Sequence, residues 1–153
     1  MEDNYYFFDT SGYFWVFRRE QHTNEKGELF WDILNKITKG RASFGYSHFI
    51  ASHFLKYEII QGLISKNQTS ETLLNITKFL AEFESFIKIE VTKGVLEKSC
   101  ILMEKHDNLK SYDAIHLACA LEAKNTYKNI IFITDDENQK NVAIDEGLKV
   151  NEV

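Results

Sequence analysis

Apolar residues in this chain recur in two periods, and the changes between them divide it into short strands and amphipathic helices. Residues 4–9, NYYFFD, form an aromatic run of the kind that makes a buried strand. Helical spacing begins at Asp9-Thr10-Ser11-Gly12. Thr10 or Ser11 is placed to cap a helix over residues 11–20, with Tyr13, Phe14, Val16 and Phe17 on its inner side. Residues 24–39 repeat the helical pattern through Leu29, Phe30, Ile33, Leu34 and Ile37, and Gly40 marks the end. Residues 42–51 alternate as a strand does, and Ser52 is the expected N-cap of a helix over 53–65. A helix over 70–86, a short strand near 86–91 and a helix over 92–105 follow, the last with Val95, Leu96, Ile101 and Leu102 inward. The final third predicts a helix over 111–124, a strand over 129–134, a helix over 137–146 ended by Gly147, and a strand over 148–150.

Short apolar strands alternating with helices predict an α/β fold, its sheet parallel and covered on both faces. A length of 153 residues and 44% apolar content suit one domain over 1–153 with a proper core. Proline is absent, and no repeat or low-complexity stretch marks a boundary. No apolar run is long enough to span a membrane, and the start, MEDNYYFFDT, has no basic region of a signal peptide, so a cytoplasmic location is expected. Cys100 and Cys119 belong to no metal or redox spacing and read as small buried hydrophobes. The net charge of −5 excludes bulk attraction to nucleic acid. An RNA-binding role would need metal and a local basic patch, for which Arg18, Arg19, Lys36, Lys39 and Arg41 are candidates.

The chemistry lies in the acids. Ligands of open parallel sheets bind outside the carboxyl ends of the strands, where Asp9 and the Thr134-Asp135-Asp136 turn both fall. Each acid alone has a bland explanation. Asp9 and Asp113 stand at helix starts, where the macrodipole favours an acid, the latter behind Ser111 as expected cap. Glu58 sits at the border of an apolar helical face, and one of Asp135 and Asp136 suffices to cap the next helix. His116, one turn beyond Asp113, reads as a packed or partly exposed side chain. Gathered together, four carboxylates would repel strongly without a counter-charge. A hard divalent cation resolves this and suits phosphodiester cleavage. No Ser-His-Asp order, phosphate loop, HExxH or zinc spacing competes.

The segments YYFFDTSGYF, SHFLKYEIIQGL, SYDAIHLACALEAK and IIFITDDENQKNVA resemble, in that order, the acidic motifs of PIN-domain ribonucleases. The small VapC-type toxins of toxin–antitoxin pairs match best, and YDAIHLACAL followed by IFITDD is the most specific piece. The resemblance implies a three-layer α/β/α domain with a central, mainly parallel sheet, acting as an endoribonuclease with Mg²⁺ or Mn²⁺. It implies Asp9, Glu58, Asp113 and Asp136 as the catalytic and metal-holding acids, with Asp135 the secondary candidate for the fourth place. Thr10, Ser11 and Thr134 fall where the family's supporting hydroxyls stand. A homodimer, an RNA substrate and an inhibiting antitoxin are the implied partners. The chain departs from many members in having no proline and a bulky DTSGYFWVF helix. Two rivals share the fold: a housekeeping RNA-processing nuclease and a catalytically idle binding module. A signalling receiver domain is disfavoured because the acidic pair lies near the C-terminus. DTSG resembles an aspartic protease only superficially, since Gly does not follow Asp-Thr directly.

Overall fold

Aromatic and branched residues put β1 (Asn4–Phe8) at the centre of a sheet in a computed structural model that describes residues 3–17, 48–65 and 70–152. The other elements are α1 (Thr10–Phe17), β2 (Phe49–Ser52), α2 (Leu55–Ile64), α3 (Ser70–Glu84), β3 (Ile87–Ile89), α4 (Lys93–Lys105), α5 (Ser111–Ala123), β4 (Asn129–Ile133), α6 (Glu137–Asp145) and β5 (Lys149–Val150). All pairings among these five strands are parallel, in the order β3-β2-β1-β4-β5.

Alternation along β1 builds both faces. Tyr6 and Phe8 join Phe49, Ala51, Ile131 and Ile133 under α1, α2 and α3, with Tyr13, Leu55, Ile59, Phe79 and Phe83 closing that core. Phe7 points the other way, with Ile50, Ile130 and Phe132, against α4, α5 and α6. Ala114, Ala118 and Ala120 are wholly buried, and their small size lets α5 lie close to the sheet. The result is a three-layer α/β/α arrangement.

The chain runs outward from β1 through β2 to β3, then returns to the other side of β1 for β4 and β5. The direction therefore switches between β1 and β4, and such a point opens a crevice at the carboxyl ends. The register runs from Asn4 opposite Asn129 to Phe8 opposite Ile133, so Asp9 and Thr134 emerge side by side. The backbone N–H of Asp9 still donates to Ile133 O at 3.2 Å.

Several local expectations are corrected. Residues of β2 are all buried and do not alternate, because both faces of this inner strand are covered. Ser52 ends that strand and caps nothing; α2 starts at Leu55 without a side-chain cap. Ser111 is already helical, and Lys110 before it makes no capping bond. In α4, Val95, Ser99 and Leu102 form the buried stripe, while Leu96 and Ile101 are exposed. Cys119 is buried as expected, but Cys100 is exposed. Gly147 does end α6, at a left-handed φ of 86° that favours glycine. The expected helix over 24–39 with Gly40, the strand residues 42–47 and the basic candidates Arg18, Arg19, Lys36, Lys39 and Arg41 lie outside the described residues. Among the described residues no helix is long and apolar enough to cross a membrane.

Candidate functional site

Asp9 occupies the bottom of the crevice and is almost wholly buried. It is the N-cap of α1, in place of Thr10 or Ser11: its Oδ1 accepts from Gly12 N at 2.7 Å and its carbonyl from Tyr13 N at 3.0 Å. Ser11 Oγ donates to the carboxylate at 3.0 and 3.1 Å, and Thr134 Oγ1 donates to Oδ2. Gly12 makes this possible. A Cβ there would stand 2.3 Å from Ile133 O, so only glycine lets the first turn of α1 close onto the end of β4. Burial pushes the Asp9 carboxyl up from 3.8 to about 6, against the opposing pull of Thr134, Gly12, His116 and Ser11.

Glu58, in the first turn of α2, is half-buried and tied to two other segments. Its Oε1 accepts from Thr10 Oγ1 at 2.8 Å and forms a short hydrogen bond with His116 Nε2. His116 is itself buried, and its Nδ1 lies 3.0 Å from Ser52 Oγ. Partial burial raises the Glu58 carboxyl, but the hydrogen bond and charge of His116, with the Thr10 hydroxyl, outweigh it and hold the group below its ordinary 4.5. His116 is thus packed, one of the two expected placements, but with both ring nitrogens engaged. It is the buried link joining α5 to β2 and α2. Its sequence signal was a pairing: a Glu on the border of one apolar face and a His on another, neither type tolerating burial without a partner.

Asp113 lies in the first turn of α5, half-buried. Burial raises its carboxyl first; the charges of Asp136 and Glu58 raise it further, offset in part by His116 and Lys110. These acids therefore lie within electrostatic reach of one another. Asp136 is exposed and caps α6 through Gln139 N at 2.8 Å, while its own N–H donates to Thr134 Oγ1 at 3.1 Å. Asp135 is half-buried and its N–H donates to Ser11 Oγ at 2.9 Å. Asn151, a residue the sequence did not single out, brackets Thr134. It accepts from Thr134 N at 3.0 Å and donates to Thr134 O at 2.9 Å. Its left-handed φ of 52° is the only local sign of a special role.

Asp9, Glu58, Asp113 and Asp136 are thus brought to one edge: Thr134 joins Asp9 to Asp136, Thr10 and His116 hold Glu58, and Asp113 feels the charges of Asp136 and Glu58. As the side chains stand, no three His, Cys, Asp or Glu among the described residues are grouped closely enough to hold an ion. The donors nonetheless fit a hard cation in kind. Both oxygens of Asp113, Oε2 of Glu58 and Oδ2 of Asp136 accept no hydrogen bond from the described residues. Beyond burial, the charges of Asp136 and Glu58 raise the Asp113 carboxyl, and that part of the rise is repulsion a divalent ion relieves.

A family model described as PIN domain matches residues 6–145. No curated protein gives a significant match. Among solved structures, PAE2754 from Pyrobaculum aerophilum is similar with a TM-score of 0.63 at 15% identity, over 97% of this chain and 90% of that one. DNA-bound VapBC from Salmonella typhimurium gives 0.59 at 10% identity, over 97% of each chain. VapBC2 from Rickettsia felis, bound to a promoter DNA fragment, gives 0.61 at 13% identity, over 95% of this chain and 96% of that one. At such identities these likenesses concern the fold, but the family model spans nearly the whole sequence: the chain belongs to the PIN domain family.

Proposed function

We propose that this chain is a single-domain, divalent-metal-dependent endoribonuclease, and the toxin of a toxin–antitoxin pair. The observation that carries the reading is electrostatic. The Asp113 carboxyl is raised by burial and then by the charges of Asp136 and Glu58, acids from two other segments, at the crevice where the strand order switches and where Thr134 joins Asp136 to the buried Asp9. Membership of the PIN domain family supports the nuclease chemistry. Likeness to chains of VapBC complexes supports the toxin role and an antitoxin partner.

Asp9, Glu58, Asp113 and Asp136 would hold Mg²⁺ or Mn²⁺, with Asp135 as the secondary candidate for the fourth place. When bound, such an ion acidifies water and neutralises charge on a phosphodiester undergoing hydrolysis. The protein's own part is orientation. Gly12, Ser11 and Thr134 fix both oxygens of Asp9, so its direction is set before any ligand arrives. His116 and Thr10 fix Oε1 of Glu58 and hold that carboxyl below its ordinary range, while Oε2 accepts no hydrogen bond from the described residues. Asp136 cannot swing freely without uncapping α6, so its charge is delivered from a fixed position. Asp113, whose backbone oxygen accepts from Gln139 Nε2 at 3.1 Å but whose carboxylate accepts no hydrogen bond from the described residues, is the adjustable member. A homodimer and a cytoplasmic location belong to the same proposal.

The test is direct. Purified protein should cleave single-stranded RNA with Mg²⁺ or Mn²⁺, stop with EDTA, and lose cleavage on Asp9→Asn; cleavage unimpaired by that substitution sinks the assignment. Growth arrest on expression, relieved by a small protein encoded next to this chain, separates a toxin from an RNA-processing nuclease.

A further inference from the structure

Beside the acids lies an aromatic surface that neither the fold nor the acid cluster requires. Tyr57 precedes Glu58 and Tyr112 precedes Asp113, and the two tyrosines are 65% and 54% exposed. Phe54 stacks on Tyr112 with centroids 5.0 Å apart and planes 24° from parallel, and meets Tyr57 at 6.1 Å. These three rings, with Thr10, Glu58 and Gln61, line a cavity of about 330 Å³. That is the lower end of the range for small-ligand sites, about 300–1,000 Å³. From this geometry we propose that the cavity is a nucleobase subsite, in which an unpaired base next to the scissile phosphate stacks on Tyr112 and Tyr57. The proposal deepens the ribonuclease reading and rests on it.

Three features select this occupant. The cavity is continuous with the acid cluster, because Thr10 and Glu58 belong to both. A strand whose phosphate reaches the acids must therefore place a neighbouring base here. The walls combine ring faces with polar edges, the carboxylate of Glu58 and the exposed amide of Gln61. A base has π-faces and N–H groups to meet both, whereas an apolar side chain would be buried against a carboxylate. Finally, the net charge of −5 gives no bulk attraction for RNA, and stacking supplies affinity that does not depend on phosphate neutralisation. Bracing by Phe54 holds the Tyr112 ring in place, so little freedom is lost when a base stacks on it.

The probe is a short single-stranded RNA carrying a fluorescent adenine analogue, bound in the presence of Mn²⁺. The background is Asp113→Asn, chosen because Asp113 makes none of the hydrogen bonds that hold the site together. Tyr112→Ala and Tyr57→Ala, each checked for an unchanged melting temperature, should weaken binding by about 5- to 150-fold and abolish the stacking quench. Tyr112→Phe should retain both, and Ile101→Ala, an exposed apolar residue on α4, should change neither. Parental affinity and quench in Tyr112→Ala would overturn the proposal, as would failure of Tyr112→Phe to rescue. Unchanged RNA binding with an altered oligomeric mass would reassign the surface to a protein partner. If wild-type protein cleaves RNA while the tyrosine variants bind normally, the subsite alone falls. If wild type neither binds nor cleaves RNA, the function falls and takes the subsite with it.

Discussion

Asp9→Asn should stabilise the protein while silencing it. Burial lifts the Asp9 carboxyl from 3.8 to about 6, a difference worth about 3 kcal/mol at about 1.4 kcal/mol per unit. Because folding raises this pKa, the folded protein holds the proton more tightly than the unfolded chain. The stabilising contribution is fully present below about pH 3.8 and is lost as pH rises through about 6. At about pH 8 wild type carries the whole cost of a buried carboxylate, whereas at about pH 5 it carries roughly half, so the two conditions differ by about 1.4 kcal/mol. Asparagine keeps an acceptor for Gly12 N and offers an amide to the Ser11 and Thr134 hydroxyls, which are free to rotate and accept. Any hydrogen-bond mismatch is independent of pH and cancels in the comparison. The assay is urea unfolding of both proteins in EDTA at the two pH values. The variant should gain about 1.4 kcal/mol on wild type between about pH 5 and about pH 8. An equal difference at both values, or one of opposite sign, would refute a buried, strained carboxyl at this position.

Gly12→Ala places a Cβ 2.3 Å from the backbone oxygen of Ile133, so the start of α1 must move, at a cost of about 1–3 kcal/mol. An unchanged urea midpoint would contradict the close approach. His116→Ala leaves Ser52 Oγ and Glu58 Oε1 short of a partner, costing about 1–3 kcal/mol for each group left unsatisfied. Because His116 orients Glu58, calorimetric Mn²⁺ affinity should also drop about 10- to 100-fold, and unaltered affinity would remove it from the site. Cys100 is exposed and Cys119 buried, its thiol pushed up to about 12. One thiol should therefore react with a disulfide reagent in native protein and the second only on unfolding; two fast thiols would be inconsistent with the packing of α5.

The sheet was legible because its strands announce themselves. NYYFF and NIIFI are buried on both faces, so they read as continuous apolar runs without need of long-range information. Placing Asp9 and Asp136 at carboxyl ends followed from those runs. What escaped was whatever depends on partners far along the chain. Ser52 has the local signature of a helix cap, yet its hydroxyl serves His116, 64 residues away. Ser111 has the same signature and caps nothing. His116 looked unremarkable on its helix because its meaning lies in Glu58 and Ser52 on other elements. Asp9 was recognised as an acid at a helix start, but its role as the cap itself requires Gly12 to touch β4, which only the register reveals. Leu96 and Ile101 fit a helical period and still face outward, since a helix on the surface of a sheet buries one stripe and α4 buries Val95, Ser99 and Leu102.

The central claim is that acids from four distant segments form one divalent-metal site. Crystals of the protein soaked in Mn²⁺ and measured at the manganese absorption edge test this most directly. An anomalous peak is expected among Asp9, Glu58, Asp113 and Asp136, lost in crystals of Asp9→Asn, and the same map decides between Asp136 and Asp135. No peak at this edge of the sheet, or one held by other residues, would contradict it.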